Sequence, residues 1–238
     1  MSRPSIVLLQ VRDHDGARRH EHDCVAQRLD RPLDSITTIN AVAHPEVSYD
    51  DVKGADLVIV GGAGSHSAID DDPFTGSLME IMRRVVDDRR PFFGSCYGHQ
   101  LLARALGGDV VHDPEHEEIG TFDVTLNEAG IADPLFEGAE TTFPVQLGHH
   151  DRVDALPPEA IILGASERCA VQVLRIGDRP VYGTQFHGEM NTQDMRDRLD
   201  VYGDEYFSSE EDRQRFLTDL RETPFVAELL RRFVELYA

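Results

Sequence analysis

The chain is almost without lysine. Of its 23 basic residues only Lys53 is a lysine, and the rest are arginine. Tryptophan is absent, and there are three cysteines: Cys24, Cys96 and Cys169. An odd, low cysteine count in 238 residues offers no disulfide framework, so each thiol must be read from its surroundings. No apolar run approaches the ~20 residues that a membrane-spanning helix needs. Met1-Ser2-Arg3-Pro4 leads straight into Ile6-Val7-Leu8-Leu9, too short for a signal peptide and without a small-residue cleavage site. The expectation is a cytoplasmic protein with no membrane partner. No basic stripe is present, which argues against a nucleic-acid partner.

What is abundant is negative charge. Acidic residues number 44 and the net charge is −21. Such a surface repels itself unless salt screens it, with a Debye length of ~3 Å at 1 M. Carboxylates in excess with hardly any lysine resemble the surfaces of proteins from salt-loving cells; the plain alternative is an acidic protein. The 40 % hydrophobic content is enough for a folded core.

The apolar segments alternate in type. Ile6–Gln10, Ser35–Val42 and Leu57–Val60 read as strands, the last continuous enough to be buried on both faces. Leu78, Ile81, Met82 and Val85 recur as one face of a helix. Pro91-Phe92-Phe93 starts another strand, and Leu101, Leu102, Ala105 and Leu106 mark a helix closed by Gly107-Gly108. Strand–helix alternation to about residue 110 predicts α/β architecture with a mostly parallel central sheet. Thereafter Ile119–Leu126, Thr141–Gln146, Ala160–Gly164, Cys169–Ile176 and Pro180–Phe186 predict a small antiparallel segment. Met195–Tyr202, Glu210–Leu220 and Pro224–Tyr237 predict C-terminal helices. Residues 1–203 are expected to form the main domain, with 204–238 a helical extension packed on it.

Three short segments carry chemistry. Gly94-Ser95-Cys96-Tyr97-Gly98, between a strand and a helix, has the glycine-x-nucleophile-x-glycine pattern of a nucleophile elbow. The turn holds Cys96 clear of the sheet, and the helix N-terminus favours its thiolate. A buried cysteine between accidental glycines is the structural alternative. Gly61-Gly62-Ala63-Gly64-Ser65 follows a strand and can offer a backbone amide to an oxyanion; a plain turn or a phosphate loop would look similar, although no Gly-Lys-Ser/Thr of the Walker type follows. Gln185-Phe186-His187-Gly188-Glu189 supplies a histidine to move the thiol's proton and a carboxylate to orient it. Alone, such a pair is commonly a surface feature.

Taken with Gly94–Gln100 and the helix to Gly108, these segments resemble class I, triad-type glutamine amidotransferases over about residues 5–190. Asp133-Pro134-Leu135-Phe136 and His149-His150-Asp151 are similar to segments of stand-alone members and of GMP synthase glutaminase domains. The resemblance implies a flavodoxin-like fold of that family's type. It makes Cys96 the nucleophile, His187 the general base and acid, and Glu189 its orienting partner. It also makes Gly62 and Tyr97 the oxyanion donors and Gln100 a substrate-binding residue. It implies hydrolysis of L-glutamine to glutamate and ammonia through a γ-glutamyl thioester. No cofactor is expected. No ATP signature is present, so a separate ATP-dependent synthetase chain is the expected user of the ammonia.

The chain departs from the family at Gly188 and Ala63, where proline is usual, and at Ser95, where an aliphatic residue is common. Gly188 is expected to loosen the His187–Glu189 geometry. The rival readings are a γ-glutamyl hydrolase or cysteine peptidase on the same scaffold, and a catalytically silent regulatory subunit.

No metal site is expected. His14, His20, His22 and Cys24 match no ligand spacing and read as a solvated acidic loop. His112, Glu115, His116, Glu117 and Glu118 read the same way. Cys169 reads as a small core residue. His149 and Asp151 either touch the active site or cap a turn. The apolar faces of the last two helices read as packing within the monomer.

Overall fold

A computed structural model describes residues 3–206 and 209–238. In chain order the strands are β1 (Ile6–Val11), β2 (Ile36–Asn40), β3 (Leu57–Ala63), β4 (Phe92–Ser95), β5 (Asp109–His112), β6 (Glu118–Leu126), β7 (Thr142–His149), β8 (Asp151–Ala155), β9 (Ala160–Ala165), β10 (Val173–Ile176) and β11 (Val181–Thr184). The helices are α1 (Asp15–Arg28), α2 (Tyr49–Val52), α3 (Thr75–Asp87), α4 (Tyr97–Ala105), α5 (Glu128–Ile131), α6 (Thr192–Tyr206), α7 (Glu210–Asp219) and α8 (Val226–Tyr237). The large sheet has the order β2-β1-β3-β4-β11-β10-β9-β6-β7. From β2 to β11 its pairings are parallel, and from β11 to β7 they are antiparallel. β5 and β8 make a separate antiparallel pair. The α/β sheet flanked by helices is therefore present, and the antiparallel strands extend it rather than forming a layer of their own.

The parallel strands are apolar on both sides because both sides are covered. Val7, Leu9, Val58 and Val60 join a core with α3 and α4 on one face. Ile6, Leu8, Leu57 and Ile59 join a second core on the other face, with Tyr182, Leu229 and Phe233. Alternate residues of a strand point to opposite faces, so a run apolar at every position fits only such a strand.

The predicted helix faces hold. Leu78, Ile81, Met82 and Val85 of α3 are fully buried. α4 ends as its sequence suggests: Gly107 has φ +94° and donates to the Arg104 carbonyl, a left-handed C-terminal turn that glycine adopts without strain. On α8, Val226, Leu229, Leu230 and Phe233 follow helical spacing and are buried in the second core. α6 runs across residue 203.

Two expectations are corrected. Residues 15–28 are not a solvated acidic loop. They form α1, which buries Ala17, Glu21, Cys24, Val25 and Ala26. The segment is mostly polar, so its apolar period is weak, and what it buries includes a carboxylate. The 112–118 stretch is likewise structured. It ends β5, makes a short 3-10 turn at Pro114–His116 and begins β6 at the fully buried Glu118. Cys169, 1 % exposed, lies just before β10 as a core residue.

Phe233 contacts Phe93 of β4 and Tyr182 of β11 edge to face, at centroid distances of 5.5 and 5.6 Å. Phe233→Ala is expected to cost about 3–5 kcal/mol in denaturant unfolding, in a single transition. A change below about 1 kcal/mol, or a separate early transition, would place α8 outside the main cooperative unit.

Candidate active site

β4 ends at Ser95, α4 begins at Tyr97, and Cys96 forms the corner between them. Its φ is +50° with ψ −100°, a backbone conformation few side-chain-bearing residues adopt. Close packing holds it there. A Cβ on Gly94 would lie 2.6 Å from the Gly98 carbonyl group, and one on Gly98 would lie 2.3 Å from the Val60 carbonyl oxygen. The Cys96 amide donates to the Thr184 carbonyl at 2.8 Å, tying the corner to β11.

β11 leads directly to the second part of the site. His187 is 7 % exposed and Glu189 2 %, and His187 Nδ1 lies 2.7 Å from Glu189 Oε1. The imidazole and the Cys96 thiol line the same cavity. Burial alone would strip both His187 and Glu189 of charge. It is outweighed: Glu189 and Cys96 raise the imidazole above its ordinary value, and His187 and Ser95 hold the Glu189 carboxyl below its own.

Ser95 Oγ donates to Glu189 Oε2 at 2.6 Å, so the residue that replaces an aliphatic one grips the buried carboxylate. The looseness expected from Gly188 is not seen in the 2.7 Å His187–Glu189 contact. A Cβ at Gly188 would press on the Phe93 ring at 3.1 Å.

The glycine loop closes the third side. A Cβ on Gly62 would lie 3.0 Å from both His187 Cε1 and Arg12 Nη2, and one on Gly61 only 2.4 Å from Glu21 Oε1. Behind the loop, Arg12 and Glu21 form a fully buried ion pair at 2.7 Å. Gln10 Nε2 donates to the other Glu21 oxygen at 3.0 Å, and Arg12 Nη1 reaches the Ala63 carbonyl at 3.4 Å. Neither Arg12 nor Glu21 was singled out from the sequence. The only available signal was a glutamate among polar residues that read as a loop.

Beside these walls lies a cavity of about 270 Å³, open to solvent on one side and lined by Cys96, Tyr97, Gln100 and His187. His149 and Asp151 line its far side, which decides between their two readings in favour of contact with the site. Gln100 Nε2 donates to the Asp151 carbonyl at 2.6 Å and to Gln185 Oε1 at 3.1 Å. Gln185 Nε2 in turn lies 3.7 Å from the Cys96 sulfur.

His20, Cys24 and Asp194 offer ligand atoms within 4.8 Å of one another. However, Arg198 Nε donates to His20 Nδ1 at 3.1 Å. That leaves the neutral ring's proton on Nε2, the nitrogen a cation would need. The cluster is a clasp between α1 and α6, with the Cys24 thiol pushed far up by burial and by Asp194.

A family profile described as glutamine amidotransferase class-I matches residues 22–199. The chain belongs to the class I glutamine amidotransferase family. A subunit of the glutamine-hydrolysing GMP synthase of Methanothermobacter thermautotrophicus is 37 % identical over 78 % of this chain and 89 % of its own length. The glutamine amidotransferase-like protein YfeJ of Salmonella typhimurium is 36 % identical over 58 % of this chain, a match spanning only 57 % of that relative. Among solved structures, a Thermotoga maritima glutamine amidotransferase is 24 % identical, covers 98 % of each chain and superimposes with a TM-score of 0.78, a likeness of fold. Among the described residues no helix is long and apolar enough to cross a membrane.

The buried His187–Glu189 pair sets a pH signature. A carboxyl with a lowered folded pKa adds stability above its unfolded value of about 4.3 and loses it as pH falls through the folded value. An imidazole with a raised folded pKa adds stability below about 6.5 and loses it as pH rises through the folded value. The stability gap between wild type and Glu189→Gln is therefore expected to be widest between about pH 4.5 and 6.5 and to narrow on both sides. Denaturant titration across pH measures it, and a flat gap would contradict the charged pair.

Proposed function

We propose that this protein hydrolyses the side-chain amide of L-glutamine, releasing ammonia and glutamate. The observation that carries the reading is that Cys96 and His187 line one cavity, with Glu189 hydrogen-bonded behind the imidazole. The Cys96 sulfur attacks the amide carbon after its proton passes to His187. The developing oxyanion is met by the backbone amides of Gly62 and Tyr97, each donor contributing roughly 3–4 kcal/mol. His187 returns the proton to the leaving nitrogen, ammonia departs, and a γ-glutamyl thioester remains on Cys96. Water, deprotonated by the same imidazole, then frees glutamate. Glu189 keeps the imidazole in the orientation and tautomer that both transfers require.

The kinship with a GMP synthase subunit supports a separate ATP-dependent synthetase as the ammonia acceptor. No cofactor has a part in this chemistry. The acidic, lysine-poor surface supports a cytoplasm of high salt as the working environment.

Ammonia release from L-glutamine, measured at low and multimolar salt with and without candidate synthetase chains, tests the reading. Cys96→Ala is expected to lose about a thousandfold or more of the activity. It is also expected to resist labelling by a glutamine-like electrophile that modifies wild type once per chain. Release of amines from γ-glutamyl conjugates with no ammonia from glutamine would replace this reading with that of a γ-glutamyl hydrolase. Absence of both reactions and of labelling would leave a regulatory subunit.

A further inference from the structure

A second histidine–carboxylate pair adjoins the same cavity, which its histidine lines. Glu118, the first residue of β6, and His149, the last of β7, stand opposite each other in the strand register. Glu118 is fully buried and His149 is 4 % exposed. Both ring nitrogens of His149 face acceptors. Nδ1 lies 3.0 Å from the Asp151 carbonyl oxygen, and Nε2 lies 3.0 Å from Glu118 Oε2. A carbonyl oxygen only accepts, so Nδ1 carries a hydrogen, and a second proton must then lie between Nε2 and the carboxyl group. Glu118 Oε2 also accepts from Gln172 Nε2 at 2.6 Å, while Glu118 Oε1 is buried without a hydrogen-bond partner; two donors converging on Oε2 suit a proton carried by the ring. The pair is neutral in sum, at a depth where either charge alone would be costly, and an imidazolium beside a carboxylate is the arrangement that gives Oε2 both its donors.

The imidazolium holds the wall that faces the nucleophile. The Gly148 carbonyl oxygen, one residue before His149, lies 3.9 Å from the Cys96 sulfur. The Asp151 carbonyl that receives the His149 proton also receives the Gln100 amide. The Asp151 carboxylate reaches across the rim to Ser67 Oγ at 2.5 Å and His112 Nδ1 at 2.8 Å. Removing the Glu118 side chain would leave His149 a neutral ring with a single hydrogen and its Nε2 without this partner.

We propose that Glu118 and His149 are positioning residues for substrate binding, a buried ion pair that fixes the Gly148–Asp151 wall and, through it, the Gln100 side chain. The proposal rests on the glutaminase reading of the cavity. It assigns the dyad to binding rather than to the bond-breaking steps, because both ring nitrogens are already engaged and neither reaches the sulfur.

The test combines nitrogen NMR of the histidine rings with steady-state kinetics. At neutral pH, both ring nitrogens of His149, assigned by their loss in His149→Gln, are expected to be protonated in wild type and only one in Glu118→Gln. Glu118→Ala, which takes the partner away from Nε2, is expected to raise KM for glutamine about tenfold, the scale of one lost hydrogen bond to a charged group, with kcat within about twofold. Should that variant fail to fold, His149→Gln is expected to show the same KM rise. A neutral His149 ring in wild type, or an unchanged KM in the folded variant, would overturn the proposal. If wild type releases no ammonia from glutamine, the reading of the cavity fails, while the ring signals still decide whether the ion pair exists.

Discussion

The constraint on which the rest depends is the forced backbone at Cys96. A side-chain-bearing residue at φ +50° persists only where its surroundings leave no alternative. Here Gly94 and Gly98 let strand, helix and the neighbouring β3 approach at distances that any Cβ would forbid. The Cys96 amide is fastened to β11, which carries the chain to His187. The corner that presents the sulfur and the strand that presents the imidazole are thus parts of one packed unit at the carboxyl ends of parallel strands, where such sheets place their ligands.

Around that unit lie successive buried polar contacts. Ser95 holds Glu189, Glu189 holds His187, and the Arg12–Glu21 pair fills the space behind the glycine loop. Each is costly to bury and is tolerated because every partner is present. The departures from the family pattern take on a physical meaning in this setting. Ser95 adds a hydrogen bond to the central carboxylate. Gly188 places no side chain against Phe93, whose ring packs on α8. The C-terminal helix thereby supports the strand from which Cys96 emerges.

Much of this was legible in the sequence because it rests on short, local signals. The apolar runs of β1, β3 and β4, the helix faces of α3 and α4, and the glycines around Cys96 are each determined within a few residues. His187 and Glu189, weak as a pair alone, became legible in combination with the glycine-flanked Cys96 and the resemblance those segments carry. What was not legible depends on pairing between distant polar groups. Glu21 looked like one more acid on an acidic chain, since its value comes from Arg12 across β1 and α1. Glu118 looked like the last of a run of surface acids, since its partners, His149 and Gln172, lie 31 and 54 residues away. In a chain with 44 acidic residues, composition cannot tell the few buried carboxylates from the many solvated ones.

The central claim is geometric: sulfur, imidazole and two backbone amides surround one reacting carbonyl. A crystal structure of the adduct between the protein and a glutamine-derived electrophile tests it directly. The predicted result is a covalent bond to Cys96, with the adduct's oxygen accepting from the Gly62 and Tyr97 amides and the His187 imidazole beside the sulfur. An adduct on another residue, or an oxygen turned away from both amides toward solvent, would contradict it.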